Sequence, residues 1–334
     1  MIKNYLIMVC GFLLFLCLAC GANGGKATSK QTKESAIIKA PEFNADSAYS
    51  YIKDQVDFGY RVPNTKEHVA CGDFLANKLA AHGATVINQY ATLTAYDGTP
   101  LKARNIIGSY NPEMKKRVVL FAHWDTRPWA DNDKDETKHH TPILGANDGA
   151  SGVGVLLEIA RQLGKQQQPT IGIDLIFFDA EDYGTPQFYE GEHTEESWCL
   201  GSQYWARFPH VQGYNARFGI LLDMVGGKGA TFLQEGYSNE FAKSIVKKVW
   251  NKANDIGYGT YFINRKGGYV TDDHLFVNRI AKIPTIDIIP TDETDEQSSF
   301  GSFWHTENDT MDVIDKATLK AVGQTVMEVI YNEK

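Results

Sequence analysis

Four stretches of the chain are apolar almost without interruption: "RVVLFAHWD", "IGIDLIFFDAED", "RFGILLDMVGG" and "IPTIDIIP". Short apolar runs without polar alternation predict strands buried on both faces. "ATVINQYATLTAY" and "ARNIIGSY" come before them and also predict strands. Around these runs the apolar spacing becomes helical. "HVACGDFLANKLAAHG" (His68 to Gly83) ends on a glycine stop, and "SGVGVLLEIARQL", "NEFAKSIVKKVWNKAND" and "DHLFVNRIA" follow it. A last helix is expected from about Asp315 to Asn332. Strands alternating with helices predict one α/β domain, with a mixed, mostly parallel central sheet and helices on both faces. No repeat or inner linker interrupts the pattern. Two polar stretches, "ADNDKDETKHHTPIL" and "YGTPQFYEGEHTEESW", are expected as long loops, which in a compact domain often carry function.

The first residues break this pattern. "MIKNYLIMVCGFLLFLCLAC" is apolar from Tyr5, carries one Lys, and has the small Ala19 before Cys20. Residues 1–20 therefore read as an export signal, with a short membrane-anchor helix as the alternative. Leu18-Ala19-Cys20 is similar to a lipoprotein processing site, although Cys17 stands where an aliphatic residue is usual. The expectation is an exported protein of the periplasm or cell envelope, anchored to a membrane, if at all, through lipid on Cys20. Residues 21–40, rich in Gly, Lys, Ser and Thr, read as a tether. The folded domain is expected over residues 41–334.

Composition changes the picture in three places. With 334 residues, 43% of them apolar, the chain can bury a large core. A net charge of -8 without a basic stripe excludes a nucleic-acid partner. Three of the five cysteines lie in the leader, so Cys71 and Cys199 are left either as one disulfide or as two thiols. Two cysteines do not build a zinc-thiolate centre, so any metal must be held by oxygen and nitrogen. Nothing in the pattern calls for an obligate dimer, and a monomer is expected.

"FFDAEDYG" raises the chemical question, because a buried strand ends in Asp179, Glu181 and Asp182. Crowded carboxylates repel one another unless a cation or hydrogen bonds hold them. The same theme recurs along the chain. "LFAHWD" delivers His123 and Asp125, "LGANDGASGVG" delivers Asp148, and "LLDMVGG" delivers Asp223. "VTDDH" adds Asp272, Asp273 and His274, and "SFWHTENDT" adds His305. Each residue alone has an ordinary explanation: Asp148 as a helix cap, His274 as part of a helix start, His139 and His140 as solvated loop residues. Taken together they place acids and imidazoles beyond the carboxyl ends of the strands, where open α/β sheets bind ligands. Oxygen and imidazole ligands suit catalytic zinc with one position left open. Within "AED", Asp182 is expected as the ligand and Glu181 as the acid/base, since a nearby cation lets neighbouring carboxyls differ in role.

The order His-x-Asp, Asp, Glu-Asp, Asp, His resembles the zinc aminopeptidase superfamily, which also contains the glutaminyl cyclases. "FWHT", with Trp304 before His305, and "TDDHLF" are similar to the cyclases, and "TRPWADND", "HHTPILGANDGASGVG" and "FFDAEDYG" to their bacterial animal-type members. The resemblance implies a zinc aminopeptidase-like fold. It also implies conversion of N-terminal glutamine, and more slowly glutamate, on peptides and proteins to pyroglutamate with release of ammonia. It implies one zinc per chain on Asp148, Asp182 and His305, with Glu181 as acid/base. Asp223 and Asp272 would be a hydrogen-bonded carboxylate pair, and Trp304 a wall of the substrate pocket. A second aromatic wall falls to Tyr183, Phe188 or Trp198. Two departures stand out: Asp182 replaces the Glu of animal cyclases, and Asp287 replaces a histidine. The alternative is a two-zinc aminopeptidase using His123, Asp148, Asp182, Asp223 and His305.

Overall fold

The computed structural model describes residues 39–334. The leader, Cys20 and nearly all of the tether lie outside the described residues. Ala40, the last residue of the expected tether, is buried in the main core. Among the described residues no helix is long and apolar enough to cross a membrane.

Six strands form one mixed sheet: β1 (Thr85–Thr94), β2 (Pro100–Tyr110), β3 (Arg117–His123), β4 (Gly172–Phe178), β5 (Gly219–Leu222) and β8 (Thr285–Ile288). Their order is β1-β2-β4-β3-β5-β8. β4, β3, β5 and β8 run parallel, while β2 pairs antiparallel with both β1 and β4. The pleat divides the core in two. Val118, Leu120 and Ala122 of β3 pack on one face with Ile173, Leu175 and Phe177 of β4. Val119 and Phe121 point the other way with Ile176 and Phe178. This two-sided burial explains why the sequence shows unbroken apolar runs.

Helices α1 (Ala45–Val56), α2 (Lys66–Ala81), α3 (Ala150–Lys165), α5 (Gly236–Asp255) and α7 (Lys316–Tyr331) contribute to the larger face. α4 (Leu200–Arg207) covers the smaller one through Trp205 and Ala206. α3 lies close on the sheet because Gly152 has no side chain: a Cβ there would sit 2.1 Å from the Leu222 carbonyl oxygen. The expected helix "DHLFVNRIA" is one α-turn, α6 (Asp273–Phe276), followed by a π-helical turn over Val277–Ala281. β6 (Phe232–Gln234) and β7 (Phe262–Lys266) form a separate two-stranded parallel pair.

Candidate active site

The parallel strands bring their carboxyl ends together, and the acids gather there. His123 closes β3, in register with Phe178, the last residue of β4. Glu181 and Asp182 follow in a turn whose backbone amides donate to the Asp125 carboxylate at 3.1 and 3.2 Å. Asp223 follows β5, and Asp272 precedes α6. Asp148 stands before α3, but the N-cap of that helix is Gly149 at φ +93°, so the Asp148 carboxylate is not used as a cap. Its backbone amide, with that of Asn147, donates to Asp309 at 2.9 and 2.7 Å. Ala180, Met224 and His305 all have positive φ (51°, 51° and 53°) without being glycine. Such residues are rare and cluster where function over-determines the backbone.

The three acids of "FFDAEDYG" divide cleanly. Asp179 is structural: it accepts from His68 Nε2 at 2.9 Å and from the amides of Arg104 and Ala180 at 2.6 and 2.8 Å. Asp182 is the opposite case, since both of its carboxylate oxygens are buried with no hydrogen-bond partner. Ligand atoms of Asp148, Asp182 and His305 all lie within 4.8 Å of one another. His305 Nε2 is 3.2 Å from Asp182 Oδ1 and 3.5 Å from Asp148 Oδ2. Burial and the Arg127 charge bring the His305 imidazole down to about 3, which leaves it neutral, the form that ligates a metal. Two carboxylates, one neutral imidazole and orphaned oxygens fit a zinc ion.

A second trio, His123, Asp148 and Asp223, is equally close-set. Here, however, His123 Nε2 already lies 3.0 Å from Asp148 Oδ1 and 3.2 Å from Asp223 Oδ1. The carboxylates of this trio thus have a protein partner in His123 Nε2, although His123 Nδ1, like both Asp182 oxygens, is buried without one.

Glu181 sits beside the first trio. Burial, with the charges of Asp182 and Asp272 added against the pull of His123, holds its carboxyl well above the usual range. Asp223 is likewise pushed up to about 7 by burial, with the His123 hydrogen bond opposing. Asp223 and Asp272, the expected pair, both line the site, and the Asp272 charge helps to raise Asp223. Asp223 lies 3.2 Å from His123 Nε2, while Asp272, His274 and Asp287 form a further close-set group with ligand atoms within 4.8 Å of one another. Burial and the charge of Asp272 hold the Asp287 carboxyl well above the ordinary value. Asp287, the residue that replaces a histidine, thus sits beside Asp272 and His274.

These groups line a cavity of about 140 Å³ together with Trp198, Trp304, Phe300 and Ile289. At about 30 Å³ per water that is room for roughly five waters, a side chain rather than a peptide. Trp304 stacks on His305 with ring centroids 3.7 Å apart. The second aromatic wall is Trp198; Tyr183 and Phe188 pack instead on Trp129, outside the cavity lining. His274 is outside the cavity lining, 3.0 Å from Glu235 and 3.7 Å from Asp287, and His139 Nε2 is 2.8 Å from the Asp133 carbonyl oxygen. Cys71 and Cys199 are separate buried thiols.

One supporting residue had gone unrecognised. Arg127, fully buried, bonds Asp131 through Nε and Nη2 at 2.7 and 2.6 Å, donates to the Asp182 carbonyl at 3.0 Å, and lies over Trp198. Asp131 Oδ1 in turn lies 3.6 Å from His305 Nδ1. Its only sequence signal is the Arg-Asp spacing of four within "TRPWADND".

The profile of Peptidase family M28 matches residues 105–330. The chain belongs to peptidase family M28. This M28 chain is 72% identical to a Bacteroides thetaiotaomicron glutaminyl cyclase bound to N-acetylhistamine, with a TM-score of 0.86 over 89% of this chain and all of that one. It is 71% identical, with the same TM-score and coverage, to a leucine aminopeptidase precursor from the same organism. It is also 28% identical over 262 residues to the Bos taurus glutaminyl-peptide cyclotransferase; the match spans 69% of this chain and 65% of the bovine one.

Proposed function

We propose that this protein is a zinc-dependent glutaminyl-peptide cyclotransferase acting on peptides and proteins with N-terminal glutamine. The observation that carries this reading is the small cavity, walled by Trp198 and Trp304, that sets Glu181 beside the Asp148–Asp182–His305 trio. Those three residues would hold one zinc ion per chain. When bound, the ion supplies Lewis-acid polarisation of the substrate's side-chain amide.

The protein groups do the rest. The indoles hold the terminal glutamine curled, with its α-amine near its own amide carbon, and exclude water. The α-nitrogen bonds to that carbon, the carbon–amide-nitrogen bond breaks, and ammonia leaves. Glu181 takes the proton from the α-amine and returns it to the leaving nitrogen. Asp223 and Asp272, which line the same cavity, accept hydrogen bonds at the departure side.

A two-zinc aminopeptidase is the second reading, favoured by the closeness of His123, Asp148 and Asp223. Mass spectrometry of a glutamine-initiated peptide separates the two. Loss of one ammonia with the chain length unchanged supports the cyclase, and release of free glutamine supports the peptidase. Glu181→Gln is expected to lower the cyclisation rate about 10²–10⁴-fold; an unimpaired variant would remove Glu181 from the mechanism.

A further inference from the structure

We propose that Cys199 is a positioning residue for the proton carrier, its thiol holding one oxygen of the Glu181 carboxylate so that the other faces the substrate. The proposal rests on the reading of Glu181 as that carrier. Cys199 is fully buried, and its Sγ donates to Glu181 Oε1 at 3.2 Å. Among the described residues no other protein hydrogen bond reaches this carboxylate. His123 Nδ1 faces the other oxygen, but from 3.9 Å.

The backbone reinforces the contact. Cys199 N donates to the Glu181 carbonyl and Leu200 N to the Ala180 carbonyl, both at 3.0 Å. The segment that starts α4 is thus laced to the turn that carries the acid/base. Cys199 itself is held at φ +56°, opposite Ala180 at +51°. A non-glycine residue in the left-handed region is strained, and this side chain is aimed at the Glu181 carboxylate.

A thiol suits the task. It is a weak donor, so it fixes Oε1 without drawing off the basicity that Glu181 needs to accept a proton. An arginine or lysine in its place would lower that basicity. An aliphatic residue would fill the space and leave the carboxylate free to rotate. Cys199 does not line the cavity, so its effect passes through Glu181.

The test is steady-state kinetics on the zinc-loaded enzyme with a glutamine-initiated peptide. Cys199→Ala should lower kcat about 3–10-fold with KM unchanged, and Cys199→Ser, which restores a donor, should recover to within about twofold. On a Glu181→Gln background the alanine change should have no further effect, because coupled residues are not additive. Wild-type kcat in Cys199→Ala, a serine variant as impaired as the alanine one, or an equal loss on the Glu181→Gln background would each overturn the proposal. A Glu181→Gln enzyme of normal rate would instead overturn the parent reading. Should Cys199→Ala fail to fold, the Cys199 S–H infrared stretch still decides: it should rise in frequency in Glu181→Ala, and an unmoved band would refute the bond.

Discussion

His305 and Trp304 show how much a single residue is asked to do at this site. The histidine is held left-handed at φ +53°, and the indole before it stacks on the imidazole. One indole thus both stacks on the His305 ring and walls the cavity. Trp304→Ala should lower kcat/KM for a glutamine-initiated peptide about 10–100-fold by opening the cavity. It should also let water compete, so that N-terminal glutamate appears beside pyroglutamate in the mass spectrum. A variant that loses rate without any glutamate would show that the indole packs but does not exclude water. Asp148, Glu181, Asp182, Asp223 and His305 were legible in the sequence because each follows an apolar run or its loop. Arg127 and Asp131 were not, since a buried ion pair four residues apart looks like any polar loop until it is seen against Asp182 and Trp198.

At the scale of elements, Glu235 ties the N-terminus of α5 to α6. Its carboxylate accepts from the amides of Tyr237 and Ser238 and meets His274 Nε2 at 3.0 Å. Burial pushes this carboxyl up, but the His274 hydrogen bond and charge, with Ser238, outweigh it and bring it down from 4.5 to about 2. A depressed carboxyl stabilises the fold above its unfolded value and loses that contribution as pH falls through its folded one. Glu235→Gln should therefore be less stable than wild type by about 3 kcal/mol above pH ~4.5, with the gap closing toward pH ~2. Urea midpoints across that range check it; a gap independent of pH would mean that the charge is immaterial. The buried strands of the main sheet and the long helices read correctly because their periods run for many residues. β6, with three residues, and β7, "FINRK", are too short or too charged to show one. α1 buries only Ala48, Tyr51, Ile52 and Gln55, a thin stripe in a polar segment next to the tether. The π-turn after Phe276 has no periodic signature, because it changes the helix without changing the residue types.

For the whole molecule the dominant fact is charge buried in one crevice. Asp148, Asp182, Asp223 and Asp272 are all under a tenth exposed, and Glu181 is only 9% exposed. Carboxylates so crowded destabilise the fold unless a cation is bound, and a ligand that binds only the folded state raises its stability by mass action. Metal analysis of the purified protein should give one zinc per chain, and His123→Ala should keep that ratio. A chelator should remove the ion and lower the thermal midpoint by several degrees, reversed on adding zinc. Two zinc ions per chain, with one lost in His123→Ala, would favour the peptidase reading.

The three residues proposed to hold that ion lie far apart along the chain: Asp148 and Asp182 near its middle, His305 close to its end. During synthesis a nascent chain that has already exposed both carboxylates still lacks the imidazole that completes the set. Two aspartates alone hold zinc weakly, so the growing polypeptide leaves the surrounding metal pool almost untouched. All three proposed ligands can therefore hold the ion together only once His305 has been made and the chain has folded.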